Sequence, residues 1–337
     1  MVAHRGASGH RPEHTLASYS LAIAMGAEYI EPDLVSTRDG VLVARHENEI
    51  GGTTDVARQP GFASRRATKV VDGVETTGWF TEDFTLAELK TLRAVERLPL
   101  ARPGNTVHDG RFEVPTFEEI LTLAREASRR TGREIGVYPE TKYPSYFAGL
   151  GLGLENPLLA ALRRHRMDHR GAPVFLQSFE TSNLRALAQL TPLPLVQLID
   201  HEGAPADLVA RGEHTTYADL LAPAALAEIA TYATGLGVAK DLVLPRDRVT
   251  GAVGTPSSLV RDAHTASLLV HVWTLRAENQ FLPTNFRHGT DPHAHGDLVG
   301  ETWAHLEAGV DGVFSDFPDL AVAARDGRPD LRRGRAS

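Results

Sequence analysis

Eight short apolar runs recur along this chain with helix-like segments between them, and that alternation constrains the fold more than any other feature. They are VAHR (residues 2–5), AEYIEPDLV (27–35), VLVARH (41–46), EIGVYPETK (134–142), VFLQSF (174–179), LVQLI (195–199), LLVHVWTLR (268–276) and GVFSDF (312–317). Strands that are apolar with little alternation belong to parallel sheets covered on both faces, and about eight of them interleaved with helices predict closure into a barrel. The expected fold is therefore α/β, a (β/α)8 TIM barrel. One connection departs from the rule, because TRDG (residues 37–40) is too short for a helix and predicts a tight turn between the second and third strands. GLGVAKDLVLP (residues 235–245) reads equally as a ninth strand or as an irregular segment.

Helix boundaries are written locally. HTLASYSLAIAMG (residues 14–26) stops at Gly26, and PTFEEILTLAREASRRTG (115–132) carries the capping-box spacing Thr116/Glu119 and a stop at Gly132. TSNLRALAQL follows Glu180, and ETWAHLEAG precedes the last strand. Between them, residues 48–114 are polar, glycine-rich and aperiodic apart from FTLAELKTL. A loop that long inside a compact domain is usually functional, so it is read as an insertion after the third strand that stands over the barrel mouth. The whole chain, residues 1–337, is then one barrel domain, with an arginine-rich tail from Asp326 expected to fray.

Composition excludes several chemistries. With 337 residues and 42% hydrophobic content the chain can bury a large core. A net charge of -8 argues against a nucleic-acid polyanion as partner, while a small phosphate ester remains compatible with a locally positive site. There are no cysteines, which removes thiolate metal sites, disulfides and a cysteine nucleophile. No apolar run approaches the length of a membrane span. Met1 stands three residues before His4 at the start of the first strand, and an extracytoplasmic protein, secreted or periplasmic, whose targeting segment is missing is the expected setting, with a cytoplasmic protein as the alternative. Nothing in the sequence reports an oligomeric state.

Charged residues are placed inside these apolar runs. In IEPDLV, Glu31 and Asp33 share a strand face two residues apart, with Pro32 between them as a strand-end signal. YPETK repeats the device with Glu140 and Lys142 after Pro139. His4 and Arg5 end the first run and His46 ends the third. Chemistry in barrels gathers at the C-terminal strand ends, so these groups are expected on one rim. Three carboxylates without sulfur suit a hard divalent cation such as Ca²⁺ or Mg²⁺, and two histidines beside it suit an acid and base pair.

The motifs AHRGASGHRPEHT, EPDLVSTRDGVLVARHENEIGGTTDVA, GVYPETKYP, VFLQSF, PLVQLI, VHVWTLR and GVFSDFPD occur in this order from the first strand to Pro318. Together they resemble the bacterial glycerophosphodiester phosphodiesterases, most closely the secreted or periplasmic branch. The resemblance implies a metal-dependent barrel with Glu31, Asp33 and Glu140 on the cation, Ca²⁺ by preference and Mg²⁺ as the alternative. It implies His4 and His46 as acid and base, Arg5 and Lys142 on the phosphate, and Glu13 bracing the site from behind. His14 stands where the commonest family motif has asparagine. Phe179 and Trp273 fall where the family sets aromatic rings against glycerol, although ordinary rim packing explains them as well.

The implied reaction converts a glycerophosphodiester such as glycerophosphocholine or glycerophosphoethanolamine into sn-glycerol 3-phosphate and an alcohol. In the family's usual scheme the substrate's own glycerol hydroxyl attacks, giving a cyclic phosphate that water opens. The alternatives are a related barrel phosphodiesterase acting on lysophospholipid or teichoic-acid-type polymer, and a phosphate-binding protein without catalysis.

Overall fold

The computed structural model describes residues 1–327, so the tail expected to fray lies, beyond Gly327, outside the described residues. Its strands are β1 (Val2–His4), β2 (Tyr29–Glu31), β3 (Asp33–Ser36), β4 (Leu42–Ala44), β5 (Ala67–Val71), β6 (Val74–Gly78), β7 (Gly136–Val137), β8 (Glu140–Thr141), β9 (Leu176–Ser178), β10 (Leu195–Ile199), β11 (Gly235–Ala239), β12 (Leu269–Leu275) and β13 (Gly312–Ser315). β2 and β3 are halves of one stave broken at Pro32, and β7 and β8 are halves of another broken at Tyr138 and Pro139, since proline has no N–H to give to a ladder. The two staves stay paired across both breaks: Tyr138 N–H donates to the Ile30 carbonyl at 2.9 Å, Glu140 N–H to Pro32 at 2.9 Å and Lys142 N–H to Leu34 at 3.0 Å.

Parallel pairing then runs from β1 through these two staves to β9, β10, β11, β12 and β13, and β13 pairs back to β1. The ring closes as an eight-stave α/β barrel, as the sequence predicts.

One expectation about which runs form the ring is corrected, and one open reading is resolved. Residues 41–46 contribute β4, which pairs antiparallel with β3 outside the ring. A four-residue link can serve an antiparallel neighbour, whereas a parallel one needs a crossover of a dozen or more residues. Gly40, at φ +75, closes the turn, with its N–H donating to the Thr37 carbonyl. The vacant stave is β11, whose two glycines hide its strand character; a Cβ on Gly237 would meet the Leu198 side chain at 2.5 Å, so a larger residue there would displace that leucine.

The helices form where their caps are written. Thr15 caps Leu16–Ala24, Thr116 and Glu119 make a reciprocal capping box on Phe117–Thr131, and Gly132 ends that helix in the left-handed conformation. The apolar faces of these and the remaining helices bury against the staves as one large core. Inside the ring, Val2, Tyr138, Val196 and Phe314 form a small second core. Tyr138 stacks on Phe175 with ring centroids 5.0 Å apart and meets Phe314 edge-on at 4.9 Å, an aromatic floor under the mouth.

Residues 48–114 fold as 3₁₀ turns, the β5–β6 hairpin and a short helix, Leu86–Leu89, whose Thr85/Glu88 capping box accounts for the one periodic stretch. The segment reaches the loops that follow β1, β4, β12 and β13, through Arg97 and Arg102. No helix among the described residues is long and apolar enough to cross a membrane.

Candidate active site

Glu31 ends β2, Asp33 starts β3 and Glu140 starts β8, so the two proline-broken staves bring three carboxylates together at the mouth. One oxygen from each lies within 4.8 Å of the others, and all three side chains are buried. Burial, the Asp33 charge and the Glu140 charge push Glu31 well above the carboxylate range. Burial also raises Glu140, to about 8, against the opposing pull of Lys142. Anions held together against desolvation and mutual repulsion are what a cation site requires of its protein, and an all-oxygen donor set fits a hard divalent ion.

Two cations face the cluster. Arg5, at φ +59 just past β1, gives its backbone N–H to Glu31 at 2.8 Å and sets its Nε 3.3 Å from Asp33. Lys142 pairs with Glu140 at 2.8 Å. Behind them, Glu13 accepts from Arg5 Nη1 at 3.2 Å and from both Nε and Nη2 of Arg97 at 2.7 Å. His14 bridges Tyr19 Oη at 2.7 Å and Asp33 at 2.9 Å, so it steadies a carboxylate of the cluster from a fully buried position.

The two histidines are each braced through Nδ1. His4, at the end of β1, meets Asp316 Oδ1 at 2.6 Å. Asp316 in turn accepts from Arg102 at 2.6 Å and from Arg276 at 2.9 Å. Burial alone would raise the Asp316 carboxyl, yet Arg276, Arg102 and His4 hold it well below its usual range, so it stays an acceptor. His46, just beyond β4, meets Glu47 in the same way, and Glu47 is gripped by Arg97 at 3.0 and 2.6 Å. Burial and the charge of Arg5 depress His4 to about 4; burial, Arg5 and Lys142 depress His46 to about 3. Both imidazoles are therefore neutral near pH 7 and leave Nε2 free.

His4, Arg5, Glu31, His46, Glu140 and Lys142 line one cavity of about 560 Å³ that also takes in Gln177, Phe179, Trp273, Arg276 and Phe281. Phe179 and Trp273 meet edge-to-face at 5.8 Å, and the Trp273 indole N–H donates to the Gly237 carbonyl at 3.0 Å. The structure thus brings His4, Arg5, Glu31, His46, Glu140, Lys142, Phe179 and Trp273 to one cavity, with Asp33 and Glu13 directly behind it. His46 arrives from a loop outside the ring, and this corrects the expectation that it ends a barrel strand. Sequence reasoning missed Glu47, Arg97, Arg102, Arg276 and Asp316. Asp316 was within reach of the strand-end rule, since it follows β13 directly.

Residues 4–320 match the glycerophosphoryl diester phosphodiesterase family. A glycerophosphodiester phosphodiesterase of Arabidopsis thaliana is 36% identical over 328 residues, covering 94% of this chain and 83% of the relative. The enzyme of that name from Haemophilus influenzae is 32% identical over 343 residues, covering 96% of this chain and 88% of its own. Among solved structures, an Oleispira antarctica phosphodiesterase in complex with the product sn-glycerol-3-phosphate superposes with a TM-score of 0.63 at 19% identity, covering 96% of each chain, which speaks for the fold. With the family matched over almost the whole length and relatives above 30% identity over most of theirs, this chain belongs to the glycerophosphoryl diester phosphodiesterases, enzymes that hydrolyse glycerophosphodiesters.

Proposed function

We propose that hydrolysis here is metal-dependent, that Glu31, Asp33 and Glu140 hold the cation, Ca²⁺ before Mg²⁺, and that His4 and His46 are the acid and base. The observation that carries this reading is the cluster of three buried carboxylates beside one cavity that two carboxylate-braced histidines line. When bound, the cation would neutralise phosphate charge as a Lewis acid.

The chain's own groups do the rest. Arg5 and Lys142 offset the charge on the non-bridging oxygens, which otherwise repels an attacking hydroxyl. One neutral imidazole takes the proton of that hydroxyl on Nε2 as the new P–O bond forms. The other, protonated beside the anionic phosphodiester, gives its Nε2 proton to the departing alcohol oxygen as the old P–O bond breaks. Phe179 and Trp273 wall the glycerol side. Attack by the substrate's own glycerol hydroxyl makes the step intramolecular, so glycerol on one side is required while the alcohol can vary.

The test is hydrolysis of glycerophosphocholine with coupled detection of sn-glycerol 3-phosphate, with EDTA and after re-addition of Ca²⁺ or Mg²⁺. Release abolished by EDTA and restored best by Ca²⁺ is expected. Turnover that survives exhaustive chelation would remove the metal from the reading, and restoration by Mg²⁺ alone would reverse the preference.

A further inference from the structure

The insertion is tied to the braces of both histidines. Its residues 93–105 cross the rim as a strap fixed at both ends. Arg93 N–H donates to Asp55 at 2.8 Å, Asn105 Nδ2 reaches Glu96 at 2.9 Å and the Ser8 carbonyl at 3.2 Å, and Arg102 Nη1 reaches that same carbonyl at 3.0 Å. Ser8 itself donates to the His4 carbonyl, so the strap is tied to the loop that carries the first histidine. From this strap, two arginines five residues apart each end on the carboxylate that holds one histidine. Arg102 divides itself between Asp316 and Glu278, both at 2.6 Å, and Arg97 divides itself between Glu47 and Glu13.

We propose that Arg97 and Arg102 are positioning residues for the reaction: each keeps one carboxylate ionised and fixed in orientation, so that the attached imidazole keeps its proton on Nδ1 and presents Nε2 to substrate. Neither arginine lines the cavity; each acts through its histidine. A carboxylate freed from its arginine can rotate and accept a proton, and the imidazole then loses its fixed tautomer, the defect that lowers turnover in carboxylate-braced histidine sites generally. Arg276 shares the hold on Asp316, whereas Glu47 faces Arg97 as its arginine partner, so the His46 side depends more on its strap residue.

This inference rests on the acid and base assignment above. Its test separates chemistry from folding by changing the leaving group. Arg97→Ala and Arg102→Ala are assayed on glycerophosphocholine, whose alcohol needs a proton to depart, and on the p-nitrophenyl ester of glycerol 3-phosphate, whose phenolate leaves without one. Each variant is expected to lose about 10–100-fold in kcat on glycerophosphocholine with KM within about threefold. On the nitrophenyl ester the variant whose arginine braces the acid recovers towards wild type, and the one that braces the base does not. Added guanidine restores part of the lost rate, and Arg→Lys retains more than Arg→Ala.

Equal losses on both substrates in both variants, without rescue by guanidine, overturn the proposal and leave the arginines as structural ties. So does a kcat within threefold of wild type in either variant. A wild-type protein inactive on both esters defeats the underlying reaction, an outcome distinct from an active wild type with indifferent arginines.

Discussion

His4 and His46 share a hydrogen-bond pattern but not a setting. His4 ends a barrel stave, with its side chain 11% exposed and its carboxylate partner 4% exposed. His46 sits beyond an antiparallel strand outside the ring, 29% exposed against a partner 31% exposed. Asp316 is gripped by two arginines from different parts of the chain, and Glu47 by one arginine of the insertion. The barrel therefore supplies a histidine whose brace is enclosed, and the segment outside the ring supplies one whose brace is more exposed. A fold with a fixed rim can vary its chemistry through such attached segments.

The largest effect belongs to neither histidine but to the carboxylates both serve. Glu31→Gln or Asp33→Asn should lower kcat/KM by about a thousandfold or more and weaken calorimetric Ca²⁺ binding, because each removes a carboxylate donor from the cluster proposed to hold the cation. Wild-type affinity for Ca²⁺ in either variant would place the ion elsewhere.

Next come the two braces. Asp316→Asn, in the drier and more constrained site, should cost about 10³-fold in kcat, and Glu47→Gln about tenfold less than that, since water can partly replace an exposed partner. A reversed order would contradict the difference drawn between the two settings.

The smallest effect concerns a buried histidine without a carboxylate. His271 bonds to Tyr138 Oη at 2.7 Å on the barrel floor, and burial depresses it to about 4. Between about pH 6.5 and about pH 4 the unfolded chain holds a proton there that the folded chain refuses, so stability falls as pH falls through that window. His271→Gln should flatten this part of the stability profile by about 3 kcal/mol at most, read from urea melts at successive pH values. An unchanged slope would show that the group titrates normally.

Much of the site was legible because proline, carboxylate and histidine stand at the ends of apolar runs, and strand geometry turns such spacing into a shared direction. Glu31, Asp33 and Glu140 could be placed on one rim from that rule alone. The ring itself was less legible. Residues 41–46 have the apolar character of a stave but follow too short a link, and residues 235–239 fill the stave while reading poorly as strand because of Gly235 and Gly237.

Arg97 and Arg102 were invisible for a different reason. Their partners lie 84 and 50 residues away for Arg97, and 176 and 214 residues away for Arg102, inside a segment without periodicity. Local pattern carries no information about contacts of that kind; only the closure of the ring brings them about.

Whether both histidines act in one reaction despite their different settings is decided by His4→Ala and His46→Ala on glycerophosphocholine, with Ca²⁺ affinity measured in parallel. Losses of about 10²–10⁴-fold in kcat in each variant, with Ca²⁺ binding retained, are the predicted result. Turnover near wild type in either one would leave a single histidine to do the proton transfers alone.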